Sequence, residues 1–439
     1  MTKKWQPYPT YKDSGVEWLG AIPEHWEVKK CKQLSLIKRG ASPRPIDDPS
    51  FFDDDGAYSW VRISDVTASN KYLETSEQKL SELGKSKSIA LEPGELFVSI
   101  CATVGKPIIT NIKCCIHDGF VYFPFLKENR EYLFYIFSGG ELYKGVGKQG
   151  TQLNLNTDII GDIKLPIPPL PEQQKIAEFL DQETSKIDKL ITKKERLIEL
   201  LKEKRTALIS HAVTKGLNPD VPMKDSGVEW LGEIPEHWEV KRLKFLITES
   251  LKYGANESAQ LEDKDCPRFI RITDITEDGL LKEDTFRSLP KDIAKPFILK
   301  TGDILFARSG ATFGKSFMYR EQWGIACHAG YLIRARLKLA EALPEFVSYF
   351  ANSSVYWDWI SSIFIQATIQ NVSAEKYANL WMGVPDIQEQ QKIAQFLDRE
   401  TSKIDNLITK TRTSIDHLKE YRTALISAAV TGKIDVREH

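Results

Sequence analysis

From residue 172 onward, apolar side chains recur at Ile176, Leu180, Ile187, Leu190, Leu197, Leu201 and Leu208, in steps of three, four or seven. Ile393, Leu397, Ile404, Leu407, Leu418 and Leu425 trace the same line in a second segment from residue 389. This spacing predicts two long helices, each burying one stripe. Pro171 suits a first helical turn, where a missing N–H costs nothing, and Gly216 is placed to stop the first helix. About 42 residues at ~1.5 Å per residue make a rod of roughly 60 Å. A rod with a single stripe needs a partner, and the chain supplies one of almost the same sequence, so an antiparallel intramolecular pair is expected. Lys194 and Lys204 fall on or beside the stripe and loosen it there.

A period of two appears between the helices. WVRISDV (60–66) and FIRITDI (269–275) alternate apolar with polar residues as half-buried strands do, and ELFVSI (95–100) and DILFAR (303–308) add a second pair. The stretch 151–168 aligns with 368–385, each closing in proline just before a long helix. Mixed α/β modules are therefore expected ahead of each rod.

These parallels arise from a tandem duplication. KDSGVEWLGAIPEHWEVKK (12–30) returns as KDSGVEWLGEIPEHWEVKR (224–242), identical at 17 of 19 positions. Residues 172–214 return as 389–431, identical at 32 of 43. The stretches between share only short motifs. Two near-identical scaffolds thus carry two unlike heads, an arrangement suited to reading two different things at a fixed separation. The expected divisions are a scaffold segment (1–30), a first head (31–166), a helical spacer (167–216), a repeated scaffold segment (217–242), a second head (243–384) and a second spacer with its tail (385–439). Trp18, Trp26, Trp230 and Trp238 are expected as apolar anchors of the scaffold, with Pro23 and Pro235 fixing a turn.

Composition narrows the function classes. With 439 residues, 41% hydrophobic and 28% charged, the chain is ordinary globular protein. The first residues contain no apolar signal region and no run suits a membrane span, so a cytoplasmic location without membrane association is expected. None of the six cysteines forms a CxxC spacing, which argues against zinc and a disulfide framework. A formal charge of −1 excludes coating of nucleic acid by bulk positive charge, so DNA contacts would come from local patches or from partners.

No catalytic centre emerges. SGATFGKS (309–316) has three residues, not four, between Gly310 and Gly314, and CATVGKP (101–107) lacks the first glycine, so neither is a phosphate-binding P-loop. A strand-to-turn corner that projects Lys106 or Lys315 is expected instead. His117 and His328 sit in matching motifs, CIHDGF and ACHAGY, yet Asp118 is replaced by Ala329, which argues against shared acid/base or metal chemistry. His25 and His237 read as turn residues. The acidic runs at Asp53–Asp55 and at Asp263 and Asp265 read as solvated loops.

Hydrogen-bonding equipment does recur. Arg62 and Arg271, Ser64 and Thr273, Lys106 and Lys315, and Asn154 and Asn371 match between heads, which suits phosphate contacts. Arg44, Gln149, Gln152, Arg308, Ser309, Gln366 and Gln370 do not match so neatly, which suits base reading. For Arg62 and Arg271 an internal ion pair with Asp65 or Asp274 is an equally good reading.

The doubled KDSGVEWLG-IPEHWEV segment, PPLPEQQKIAEFLD and the RTALIS-AVT helix ends closely resemble the specificity (S) subunit of type I restriction-modification systems, over essentially the whole length. The resemblance implies two α+β target-recognition domains in pseudo-twofold tandem repeat, separated by two long helices that form an antiparallel coiled coil. It implies a non-catalytic DNA-specificity subunit whose domains each read half of a bipartite double-stranded site, while the helices set half-site spacing and dock two methyltransferase (M) subunits. No cofactor belongs to the chain itself: S-adenosylmethionine enters with the M subunits, and ATP and magnesium with restriction (R) subunits. The competing class is a two-headed protein-interaction scaffold without sequence-specific DNA binding.

Overall fold

The computed structural model describes residues 5–143, 148–149, 152–153, 155–258, 261–276, 279–310, 313–365 and 371–437. The chain forms two compact units: Met1–Lys194 with Thr413–His439, and Glu195–Arg412. Two helices, Leu170–Lys215 and Ile387–Val430, contribute to both.

Within each unit the two helices pair antiparallel. Asp188 meets Arg422 at 2.9 Å in the first unit, and the repeat-related Asp405 meets Arg205 at 2.9 Å in the second. These exposed ion pairs orient more than they stabilise. Apolar burial does the holding. Ile176, Leu180 and Ile187 join Leu425, Ile426 and Ala429 in one core, and Ile209, Ala212 and Val213 join Ile393 and Leu397 in the other. The stripe departs from the sequence expectation in its middle: Leu190, Leu197 and Leu407 are exposed, while Ile198, Ile408 and Ile415 are buried. A seven-residue step falls about 20° short of two α-helical turns, so the buried line moves forward along the sequence. Lys194 is half-buried at the edge of this line and Lys204 is exposed.

Each scaffold motif packs on the start of a long helix. Trp26 and Trp238 are fully buried, and His25 and His237 each place Nε2 2.8 Å from a first-turn carboxylate, Glu172 and Glu389. Gly216 and Gly432 end the helices at φ +74° and +71°. A Cβ on Gly432 would lie 2.3 Å from Pro23, so only glycine fits. In the first unit the amino- and carboxyl-terminal segments interlock: Asp435 N–H donates to Gln6 O at 2.7 Å, and Lys433 Nζ donates to Ala21 O at 2.6 Å.

The first head has a five-stranded sheet in the order Lys38–Arg39, Phe120–Tyr122, Leu96–Ser99, Pro107–Thr110, Tyr72–Leu73. Beside it lies a four-stranded sheet in the order Gln78–Leu80, Tyr58–Val61, Cys114–Ile116, Ile89–Leu91. In the second head the order Lys252–Tyr253, Leu332–Ala335, Ile304–Ala307, Ser316–Met318 repeats the larger sheet, and Arg268–Ile270 pairs parallel with Ala326–His328. Each head leaves and rejoins the scaffold across one antiparallel ribbon, with Lys30 opposite Lys164 and Arg242 opposite Trp381.

Two expectations change here. The alternating strands stop at Val61 and Ile270, and helical turns begin at Ile63 and Ile272. The cause is a local acceptor: Asp65 and Asp274 each take the backbone N–H of the preceding arginine at 2.8 Å, satisfying a donor the turn would otherwise orphan. His117 and His328 are also not equivalent. Strand pairing sets Ile116 opposite Val61 and His328 opposite Ile270, so His328 occupies the place of Ile116 and His117 the place of Ala329. Matching motif letters hid a one-residue register difference, and in a strand one residue exchanges faces.

His328 is therefore a core residue with no solvent exposure, its Nδ1 3.1 Å from Phe297 O and its Nε2 3.4 Å from Lys252 O. Burial lowers its pKa to about 4 despite these carbonyls. The folded value lies below the unfolded one, so the unfolded chain binds the extra proton, and stability is lost as pH falls from about 6.5 towards 4. Urea unfolding should show the second unit about 2 kcal/mol weaker at pH 5 than at pH 7, a difference that His328→Ile removes. Equal pH dependence in both proteins would refute this.

Candidate nucleic-acid interface

The first head gathers three of the sequence-selected residues. Arg62 and Ser64 are exposed at the start of the helix Ile63–Ala68, whose last carbonyls are capped by Lys106: Nζ donates to Thr67 O at 3.1 Å and Ser69 O at 2.7 Å. Burial holds the Lys106 ammonium below the usual lysine pKa. The Arg62 guanidinium donates to Gln78 Oε1 rather than pairing with Asp65. Arg44 stands apart from this group, with Nη2 3.3 Å from Asp118 Oδ2. Gln149 and Gln152 face each other across a short hairpin, but their side chains, and all of Asn154, lie outside the described residues.

In the second head Arg271 makes the internal pair, with Nη2 2.7 Å from Asp274 Oδ1 and a further bond of 3.0 Å to Thr285 O. Thr273 is exposed on the same turn. Lys315 is exposed, and its Nζ has no partner among the described residues. Arg308, Ser309 and Asn371 converge: Ser309 bridges Asn371, and Arg308 Nε donates to Asn371 Oδ1 at 3.3 Å. Gln366 and Gln370 lie outside the described residues.

Three features escaped sequence reasoning. Tyr253 lies under Arg308, 4.8 Å from ring centroid to guanidinium carbon, and Tyr331 is 63% exposed beside it. In the first head Arg39 Nε donates to Asp118 O, while the Asp118 carboxylate accepts from Ser42 Oγ at 2.9 Å. Burial opposes ionisation of Asp118, but the Ser42 hydroxyl and the charge of Arg39 outweigh it and lower its pKa. Glu172 is a buried hub that accepts from Tyr8 Oη at 2.6 Å and Trp26 Nε1 at 3.0 Å. Its identity with Glu389 across the repeat was the available signal.

Among the described residues no group of three or more His, Cys, Asp or Glu side chains is arranged to hold a metal ion. Nor is any described helix long and apolar enough to cross a membrane. The interface offers donors, acceptors and aromatic faces.

Comparison with known proteins gives consistent relatives. The chain is 24% identical over 428 residues to the type I restriction enzyme MjaVIII specificity subunit of Methanocaldococcus jannaschii, covering 95% of this chain and 94% of that protein. It is 23% identical over 436 residues to the EcoKI specificity subunit of Escherichia coli K12, covering 94% and 90%. In fold it is similar, at a TM-score of 0.72 and 13% identity, to a chain from a structure addressing complex assembly and conformational transition of the type I R-M system, covering 93% of this chain and 98% of that one. The HsdS subunit of Thermoanaerobacter tengcongensis is similar at a TM-score of 0.53 and 14% identity, covering 94% and 98%. The type I restriction modification DNA specificity domain matches twice, at residues 23–200 and 235–417. The chain belongs to that family, with two specificity domains in tandem.

Proposed function

We propose that the chain is a non-catalytic subunit that directs a type I restriction-modification complex to a bipartite site in double-stranded DNA. The observation that carries the reading is one scaffold, built twice, holding two heads whose displayed side chains differ. The heads over 31–166 and 243–384 each read one half-site. The helices over 167–216 and 385–439 set the spacing and dock two methyltransferase subunits, to which restriction subunits are added. S-adenosylmethionine is held by the methyltransferase subunits, and ATP with magnesium by the restriction subunits. A nearly neutral reader depends on these partners to enclose the DNA.

Phosphate contacts position such a reader, and base contacts specify the site. Ser64, Thr273, Lys315, Asn154 and Asn371 are assigned to positioning, with Arg62 and Arg271 at the start of the turns that bear Ser64 and Thr273. Lys106 stiffens the first of those turns through its carbonyl contacts. Arg44, Gln149, Gln152, Ser309, Gln366 and Gln370 are assigned to reading.

The test is DNA binding by the complex with its methyltransferase subunits, as a function of sequence and salt. Binding should be sequence-selective and should weaken as salt rises. Lys315→Ala should weaken binding alike at all sequences and reduce the salt slope by about one. Sequence-blind, salt-insensitive behaviour would favour the protein scaffold, and an effect of Lys315→Ala confined to one base position would reassign that residue as a reader.

A further inference from the structure

The two heads share one corner built on a glycine. Gly40 N–H donates to Phe120 O at 2.9 Å and Ala41 N–H to Ile116 O at 3.1 Å; Gly254 N–H donates to Leu332 O at 3.2 Å and Ala255 N–H to His328 O at 2.9 Å. The next strand closes the corner in the same way: Ile100 N–H donates to Gly119 O at 2.8 Å and Arg308 N–H to Tyr331 O at 3.0 Å. A Cβ on Gly40 would lie 2.2 Å from His117 O, and one on Gly254 2.1 Å from His328 O. Backbone contacts that close admit only glycine, so the frame is fixed in both heads.

What the frame displays is different. Arg39 in the first head stands where the second has Tyr253, Gly119 where it has Tyr331, and Ile100 where it has Arg308. A fixed backbone with exchanged side chains is what two readers of unlike half-sites require. Arg308 is the best prepared of these groups. Its guanidinium lies over the Tyr253 ring, and its Nε is anchored on Asn371 Oδ1. Tyr253 is itself fixed by the Ala374 N–H, which donates to its hydroxyl at 3.0 Å. The two Nη atoms of Arg308 have no partner among the described residues. A stacked, anchored guanidinium has already lost much of its rotamer freedom and presents two parallel N–H groups. That fork matches the N7 and O6 acceptors of guanine in the major groove.

We infer that this glycine-locked corner is the base-reading face of each head and that Arg308 reads a guanine in the half-site of the second; the inference rests on the proposed DNA-specificity function. Tyr331, whose carbonyl accepts from the Arg308 N–H at 3.0 Å, is the exposed aromatic residue next to Arg308 in the corner. In the first head the same place holds Arg39, Arg44 and the Asp118 carboxylate, a set suited to a different base pair.

The experiment is methylation of a randomised DNA library by the complex of full-length chain and methyltransferase subunits. Wild type is compared with Arg308→Ala, Arg308→Lys and Tyr331→Ala. The expected result is a guanine in one half-site whose discrimination falls about 10- to 100-fold in both Arg308 variants, with the other half-site unchanged. Tyr331→Ala, at an exposed position with little bearing on folding, should relax selectivity in that same half-site. A motif unchanged in the Arg308 variants, or a loss equal at all sequences in Arg308→Lys together with an unchanged motif in Tyr331→Ala, overturns the inference. A wild-type complex without any two-part motif would instead count against the underlying function.

Discussion

Replacing residues 31–165 with the corresponding segment of another family member should give a complex that methylates a new motif, with one half changed and the other half and the spacer retained. The physical basis is the way the head is attached. It leaves the scaffold at Lys30 and returns at Lys164, residues opposite each other on one antiparallel ribbon, and Cys31 N–H donates to Ile163 O at 2.8 Å at the same point. A graft there joins ends that already lie side by side, so the scaffold strand Glu27–Lys30 and the retained Pro166 and Ile167 of the strand opposite it need not move. The half-site should change completely, because each mismatched base pair costs about 1–3 kcal/mol and several are read together. Mapping methylated adenines checks this. Change in both halves would mean that the heads do not read independently.

The second large effect concerns stability. Glu172→Ala should destabilise the first unit by about 3 kcal/mol, and Glu389→Ala the second by about 1 kcal/mol. Glu172 is 6% exposed and accepts from Tyr8, His25 and Trp26, so its removal strands a buried hydroxyl and a buried indole N–H. Glu389 is less enclosed and has His237 as its side-chain partner, whereas the indole N–H of Trp238 already has no partner among the described residues. The difference arises because Tyr8, in the amino-terminal segment, has Asp220 at the matching place of the repeat. Urea unfolding of wild type, Glu172→Ala and Glu389→Ala measures it, and equal losses would contradict the asymmetry.

The scaffold was readable from the sequence because duplication marked it and helical periodicity is a repeated signal. Features set by single contacts were not. The strands at Val61 and Ile270 end because one aspartate reaches back to one amide, and the alternation of WVRISDV gives no sign of it. The middle of each helix follows 3.6 residues per turn, so Ile198 and Ile408 are buried where counting in sevens selected Leu197 and Leu407. Pairing His117 with His328 failed because register is set by strand partners distant in sequence. Arg271 and Lys106 share a motif position with Arg62 and Lys315, yet local carboxylates and carbonyls decide what each touches. Tyr253 and Tyr331 gained significance only when the sheet brought them to Arg308, from 55 residues before it and 23 after.

The measurement that bears most directly on the central claim is the methylation pattern of a methylation-free host expressing this chain with its cognate methyltransferase. Modified adenines are expected in a single two-part motif with a spacer of fixed length. Co-purification of the two proteins without any such motif would contradict that claim and leave the chain as a protein scaffold.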